Sequence, residues 1–101
     1  MKLIYVTLNN SDEARRIGRR LLKNKLANCV NFFPITCIYN YEDEITEEPE
    51  VVLIVKTLEG KYTEIEKVIK SEIDYDNFIG QIGVDQINSN FEGWLTRIVK
   101  K

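Results

Sequence analysis

The sequence predicts an α+β fold of order β-α-β-β-α-β with an extra C-terminal helix, and three observations lead to this prediction. Short apolar runs typical of strands alternate with segments whose apolar residues recur at helical spacing. The chain has 101 residues, enough for one domain with one core, so residues 1–101 are expected to form a single domain. A hydrophobic fraction of 44% is ordinary for a globular protein and too high for a disordered chain.

The first strand and the first helix are predicted near the N-terminus. Residues 3–8 read LIYVTL, an apolar run that is too short for a helix and is followed by two asparagines. Asn10 and Glu13 then have the spacing of a capping box, with Ser11 as an alternative cap. A helix should follow, because apolar residues recur at helical spacing among basic ones, namely Ala14, Ile17, Gly18, Leu21 and Leu22.

A long hairpin is predicted in the middle of the chain. Residues 27–41 look extended, with Pro34 marking a bend or bulge, and the acidic stretch around Asp43 is the predicted tip. The chain returns through EVVLIVKT, residues 50–57, which is apolar on both faces and should be covered on both. Arms of eight residues extend about 26 Å at about 3.3 Å per residue. Apolar residues toward the tip, such as Ile45, would lack partners inside one subunit and predict oligomerisation.

Three further elements complete the pattern. A second amphipathic helix begins near Lys61, and residues 78–87 form a strand in which the segment Gly80 to Gly83 indicates bulges. Ser89 and Glu92 have the spacing of a capping box for the last helix. Its apolar stripe comprises Phe91, Trp94, Leu95 and Ile98. The order of elements is the split β-α-β arrangement of ferredoxin-like folds.

Composition and charge exclude several classes of function. The net charge of −2 argues against nucleic acid and anionic lipid as partners, and no aromatic RNA-binding pattern is present. The chain has no transmembrane run and no signal-peptide core, which predicts a cytoplasmic protein without a membrane partner. Basic residues crowd the first helix and acidic residues crowd the hairpin. Both clusters form solvated surfaces, or they pair across an interface.

Cys29 is the first candidate for chemistry. The chain has no histidine, so the usual base for a cysteine nucleophile is absent, and we predict that the protein is not an enzyme. Two thiolates suit Cu(I), but Cys37 lies eight strand residues away, about 26 Å. A metal site at Cys29 would therefore need symmetry in an oligomer or added carboxylates. The alternative is that Cys29 is a small packed residue of the strand.

Two charged residues of the returning strand are candidates for a pocket. Glu50 and Lys56 lie on the same predicted face as Val52 and Ile54. Charges on a sheet face are unfavourable unless they are paired. Glu50 and Lys56 therefore either reach solvent at the strand ends or line the rim of a pocket between subunits.

The central segment resembles the CutA family of divalent-cation tolerance proteins. The similarity begins at ANCVN, residues 27–31, where Asn28 stands in place of the family's small residue before Cys29. It continues with Tyr39, Tyr41, Asp43, Ile45, Glu50, Val51, Lys56 and Thr57. Thr7 and the last helix, with Phe91, Trp94 and Leu95, also match the family.

The resemblance implies a ferredoxin-like subunit in a homotrimer like that of PII signalling proteins, whose hairpins wrap around neighbouring subunits. It also implies a role in the response to divalent metal ions, with binding of copper or another divalent metal ion, and no enzymatic activity. Ile73 and Asp74 replace the family's histidine and proline, although Tyr75 is kept. Only Cys29 is therefore carried over as a metal ligand, in a weak or vestigial site.

An alternative interpretation is a PII-like sensor of small molecules, or a signalling protein, with a pocket between subunits. The candidate pocket residues are Asn31, Tyr41, Glu50, Lys56, Tyr75 and Trp94. An enzyme that uses carboxylate and lysine groups in the same cleft is a third interpretation.

Overall fold

A computed structural model describes residues 1–99 as one four-stranded antiparallel sheet with three helices. The strands lie in the order β2-β3-β1-β4. The elements are β1 (Lys2–Leu8), α1 (Ser11–Lys23), β2 (Cys29–Tyr41), β3 (Glu44–Thr57), α2 (Tyr62–Glu72), β4 (Ile79–Gly83) and α3 (Ser89–Ile98). The predicted ferredoxin-like order and the extra C-terminal helix are confirmed.

The main core lies between α1, α2 and one face of the sheet. Alternate residues of β1 and β3 point toward these helices, because successive side chains of a strand face opposite ways. The fully buried members with the largest side chains are Ile4, Leu8, Ile17, Leu21, Leu53, Ile65 and Ile69. Thr57 is the buried polar residue at the end of β3, and its hydroxyl donates to the carbonyl of Leu26 at 2.5 Å.

The start of α1 confirms the prediction that Asn10 is the cap. Its side chain accepts a hydrogen bond from the backbone N–H of Glu13 at 2.9 Å, and Ser11 is the first helical residue. The Glu13 carboxylate accepts a hydrogen bond from the backbone N–H of Asn9, also at 2.9 Å. Two turns into the helix, α1 approaches β2 closely at Gly18, where a Cβ would lie 2.8 Å from a methyl group of Val30.

The central hairpin is longer and more regular than predicted. Its turn consists of Glu42 and Asp43, both at positive φ (49° and 67°), as a two-residue hairpin turn requires. The predicted bend or bulge at Pro34 is wrong, since the β2–β3 register runs unbroken and pairs Pro34 with Val51. A proline is tolerated there because β2 is an edge strand. β3 begins at Glu44, so the prediction for residues 50–57 covers only its second half.

The C-terminal elements correct two further predictions. β4 pairs with β1 in regular register, so the bulges expected between Gly80 and Gly83 are absent, and the strand is shorter than residues 78–87. The cap of α3 is Asn88, without a side-chain hydrogen bond, so the predicted capping box of Ser89 and Glu92 is wrong. Of the predicted apolar stripe of α3, only Leu95 is buried; it packs with Leu58 and Val99.

The outer half of the hairpin extends beyond the helices. Ile45 is 79% exposed and Ile38 64% exposed, and they lie on the same face of the hairpin. The Cα radius of gyration is 14.5 Å, above the roughly 13 Å expected for a compact chain of this length. The predicted lack of partners for apolar residues near the tip is therefore observed within one subunit.

Candidate functional site

A groove of about 540 Å³ lies where the outer half of the hairpin meets the end of β1 and the loop between α2 and β4. Its volume is in the range of small-molecule sites. The hairpin contributes Cys37, Tyr39, Tyr41, Glu48 and Glu50, β1 and the next residue contribute Thr7, Leu8 and Asn9, and the loop contributes residues 75–78.

The hairpin register determines which side chains face this groove. Cys37 pairs with Glu48, and Ile35 pairs with Glu50, so these positions lie on one face of the ladder. Tyr39 and Tyr41 follow on the same face, with their rings packed edge to face at 6.4 Å between centroids. The strand period thus gathers one thiol, two phenols and two carboxylates on one surface.

The loop after α2 is fixed to β1 by hydrogen bonds. The side-chain amide of Asn77 donates to the carbonyl of Thr7 at 2.9 Å. The backbone N–H of Phe78 donates to the hydroxyl of Thr7, and the N–H of Thr7 donates to the carbonyl of Phe78, both at 3.1 Å. Asp76 and the Phe78 ring are thereby held beside the groove.

Tyr75 joins this loop to the cap of α1. Its hydroxyl donates to Oε1 of Glu13 at 2.6 Å and accepts from the backbone N–H of Asn9 at 3.1 Å. Burial and the hydrogen bond to Glu13 raise the pKa of Tyr75 well above its usual value near 10. The predicted pocket residue Tyr75 therefore lines the groove, but its hydroxyl is already engaged in holding the wall together.

The groove has an acidic character. Partial burial and the nearby carboxylates of Glu50 and Glu48 raise the pKa of the Cys37 thiol, which keeps it protonated at neutral pH. The Tyr39 hydroxyl donates to Oε2 of Glu48 at 3.0 Å, and this bond raises the pKa of Tyr39. A protonated thiol beside two carboxylates is unsuited to nucleophilic chemistry.

The other predicted pocket residues lie farther along the same sheet face. Cys29 pairs with Lys56, and Asn31 pairs with Ile54. The Lys56 ammonium is 5.3 Å from the centroid of the Phe91 ring, and that ring packs edge to face with Trp94 at 5.4 Å. Within one subunit, the structure thus divides the predicted pocket in two. Tyr41, Glu50 and Tyr75 line the groove, whereas Asn31, Lys56 and Trp94 lie outside it, with Lys56 beside α3 and next to the metal candidate Cys29.

Three hairpin residues of the groove, Cys37, Tyr39 and Glu48, are absent from the predicted pocket, as are all the groove residues of β1 and the loop except Tyr75. The alternation along β2 already placed Cys37 and Tyr39 on one face with Tyr41. A two-residue turn at Glu42 and Asp43 would have placed Glu48 opposite Cys37. Strand alternation was therefore the signal for Cys37 and Tyr39, and the exact length of the turn was the signal for Glu48.

The surroundings of Cys29 within one subunit do not suit a metal ion. Its cross-strand neighbour Lys56 is cationic. The Nδ2 atom of Asn28 is buried without a hydrogen-bond partner among residues 1–99, and an amide nitrogen is a donor rather than a metal ligand. Across residues 1–99, no group of three or more Cys, Asp or Glu side chains is placed to hold a metal ion. Residues 1–99 of one subunit therefore supply a single candidate thiol ligand at this position, that of Cys29.

Comparison with known proteins connects this fold to one family. The family model described as CutA1 divalent ion tolerance protein matches residues 2–97. The chain belongs to the CutA1 family. Its relatives include the divalent-cation tolerance protein CutA of Archaeoglobus fulgidus, 36% identical over 96% of both chains. CutA of Pyrococcus horikoshii is 33% identical over the full length of both. The resemblance inferred from the sequence is confirmed.

Solved CutA structures have the same fold. The periplasmic divalent cation tolerance protein CutA of Archaeoglobus fulgidus superposes with a TM-score of 0.93 at 35% identity, covering 99% of this chain and all of that one. CutA1 of Pyrococcus horikoshii superposes with a TM-score of 0.92 at 31% identity over the full length of both chains. No helix within residues 1–99 is both long and apolar enough to cross a membrane.

Proposed function

We propose that residues 1–101 act as one non-enzymatic CutA domain that assembles into a PII-like homotrimer and takes part in the response to divalent metal ions. The observation that supports this proposal is the family match over residues 2–97, together with relatives named for divalent-cation tolerance. The acidic groove, with its protonated thiol and without histidine, supports the absence of catalysis.

Exposed apolar surface supports the trimer. Besides Ile38 and Ile45 on one face of the hairpin, Tyr41 is 59% exposed on the other. The sheet face opposite α1 and α2 also carries Phe33 and Ile82, both exposed within a single subunit. Several large apolar side chains left exposed in one subunit support their burial against other copies of the chain.

Light scattering tests the assembly directly. A trimer predicts about three times the 11.8 kDa mass of the chain, and Ile38→Lys should lower that mass by placing a charge in the contact. Ile38 is exposed and belongs to neither apolar cluster of residues 1–99, so the variant should retain its circular dichroism spectrum. A monomer mass for the unmodified protein would contradict the proposal.

Metal binding is proposed to be weak and to depend on Cys29, with copper or another divalent metal as the ion. Residues 1–99 of one subunit offer a single thiol there, so the other ligands are proposed to come from symmetry-related copies or from added carboxylates. Titration with Cu(I), Cu(II) and Zn(II) should show a site that is lost in Cys29→Ser and kept in Cys37→Ser. Equal binding by both variants would reject Cys29 as the ligand.

A second candidate function, a PII-like sensor or signalling protein, is favoured by the groove that contains Tyr41, Glu50 and Tyr75. A ligand of the native state raises the melting temperature, because it binds only folded protein. A thermal-shift screen with nucleotides, small anions and small cations should yield a ligand whose effect is lost in Glu50→Gln. Absence of any stabilising ligand would count against this function.

The cytoplasm remains our proposal for the location. The family does not decide it, since the Archaeoglobus fulgidus relative is described as periplasmic. Two free cysteines, Cys29 and Cys37, suit a reducing compartment. Cell fractionation that recovers the protein with periplasmic markers would contradict this proposal.

A further inference from the structure

The groove combines negative charge with aromatic surface. Its acidic side chains are Glu48, Glu50 and Asp76, and no Lys or Arg side chain of the part of the chain that the structure describes lines it. Among residues 1–99, the ion pairs involve other carboxylates, those of Asp12, Glu59 and Glu72. Three acidic groups thus share one concave surface without a cationic partner among residues 1–99 of their own subunit.

Aromatic rings form the rest of the wall. Tyr39, Tyr41, Tyr75 and Phe78 line the groove, and the hydroxyls of Tyr39 and Tyr75 already donate to carboxylates. These rings can still offer their faces and edges to a ligand. An aromatic face attracts a cation, most strongly where water is excluded.

We propose that this groove binds the cationic end of an organic amine or guanidine. The carboxylates of Glu48 and Glu50 would contact the charged group, and the tyrosine rings would pack on the adjoining carbons. The inference rests on the second function proposed above and names the class of its ligand. A bare metal ion fits less well, since residues 1–99 offer no three-ligand group, and an anion would be repelled.

Two sources could supply this chemistry. One is a free small molecule, for which about 540 Å³ is ample. The other is a lysine or arginine side chain of a second copy of the chain, because α1 is rich in basic residues. Arg16 and Arg20 are engaged with Glu72 in their own subunit, at 2.6 Å and 2.7 Å, whereas Arg19 lies exposed on the same helix.

Calorimetric titration with three ligands of similar size tests the charge requirement. Phenethylamine should bind saturably, whereas phenethyl alcohol and phenylpropionate should not. Binding should weaken about tenfold in Glu48→Gln and in Glu50→Gln, as expected for loss of a charge-assisted hydrogen bond. Glu47→Gln is the matched control. It removes the same charge from β3, but Glu47 pairs with Ile38 on the opposite face.

Light scattering of the Glu48→Gln/Glu50→Gln double variant distinguishes the two sources. Loss of phenethylamine binding with an unchanged mass identifies a free ligand. A lower mass, with no phenethylamine binding by the unmodified protein, identifies a basic side chain of a second copy.

Three results would overturn the inference. They are equal binding of phenethylamine and phenethyl alcohol, an equal loss in Glu47→Gln, and a groove that neither binds the amine nor affects the mass. A groove that binds nucleotides or anions instead would overturn this inference and leave the sensor function standing.

Discussion

Replacement of Tyr75 by phenylalanine removes one hydroxyl that holds together two segments 62 residues apart in sequence. That hydroxyl donates to the Glu13 carboxylate at 2.6 Å and accepts from the N–H of Asn9 at 3.1 Å. Hydrogen bonds to charged groups contribute about 1.5–3 kcal/mol. Glu13 is only half-buried, and it still accepts a hydrogen bond from the N–H of Asn9 in the variant, which lowers the expected loss to about 1–2 kcal/mol.

Urea and thermal denaturation followed by circular dichroism measure this loss at a fixed protein concentration. For a subunit of about 100 residues, 1 kcal/mol corresponds to a shift of about 4–8 °C in melting temperature. Tyr41→Phe is the control, because its ring is exposed on the same groove and its change should stay within about 0.5 kcal/mol.

A double-mutant cycle that combines Tyr75→Phe with Glu13→Gln isolates the interaction energy between Tyr75 and Glu13. Residues in direct contact should show a coupling energy of about 0.5 kcal/mol or more. Additive effects of the two substitutions, or a Tyr75→Phe variant as stable as the unmodified protein, would refute the assignment of Tyr75 as the residue that holds the groove wall.

Three further predictions concern stability. Gly18→Ala should destabilise the protein by about 1 kcal/mol, because the new methyl group would overpack against β2. Gly93→Ala should instead stabilise α3 by up to about 1 kcal/mol, since the nearest contact of its new methyl group is at 3.5 Å. Equal effects of the two substitutions in urea denaturation would contradict this prediction. Two arginines of α1 hydrogen-bond to Glu72 and lower its pKa below 4.5, so Glu72→Gln should cost up to about 1 kcal/mol at pH 7, and the difference should vanish as the pH falls through that lowered value. Because the pKa of Tyr75 is raised in the folded state, stability should fall as the pH rises above about 10, and Tyr75→Phe should show less of this fall in alkaline denaturation.

The order of elements was predictable because hydrophobic periodicity reports directly on burial. The helix carrying Ile17 and Leu21 and the strand carrying Leu53 and Val55 bury the residues that their patterns indicate. The cap at Asn10 also followed from local chemistry, since it involves residues three positions apart.

Predictions failed where tertiary position overrides local preference. Pro34 suggested an interruption, but only the order of strands shows that β2 is at the edge of the sheet. Ser89 and Glu92 have the spacing of a capping box, yet the helix begins one residue earlier, and Asn88 takes the cap position. In each case the residue types have the local preference that the prediction used, but the strand order or the helix boundary determines which structure forms.

The candidate site also shows that a local pattern does not determine which residues meet in the folded chain. Glu50 and Lys56 lie on one face of β3, which made a shared pocket plausible from the sequence. Six residues of strand span about 20 Å, and the structure gives the two charges different neighbours. Glu50 joins the acidic groove, whereas Lys56 packs over the ring of Phe91. Sharing a face is therefore necessary for a common site, but distance along the strand decides between one site and two.

The hairpin turn connects the sequence most directly to the groove. Because the turn has two residues, every pair in the ladder follows from it, including Cys37 with Glu48 and Ile35 with Glu50. A change of one residue in the register would move these carboxylates to the opposite face, where Glu47 now lies. The two-residue turn at Glu42 and Asp43, which their positive φ values make possible, therefore places the carboxylates of Glu48 and Glu50 on the face that forms the groove.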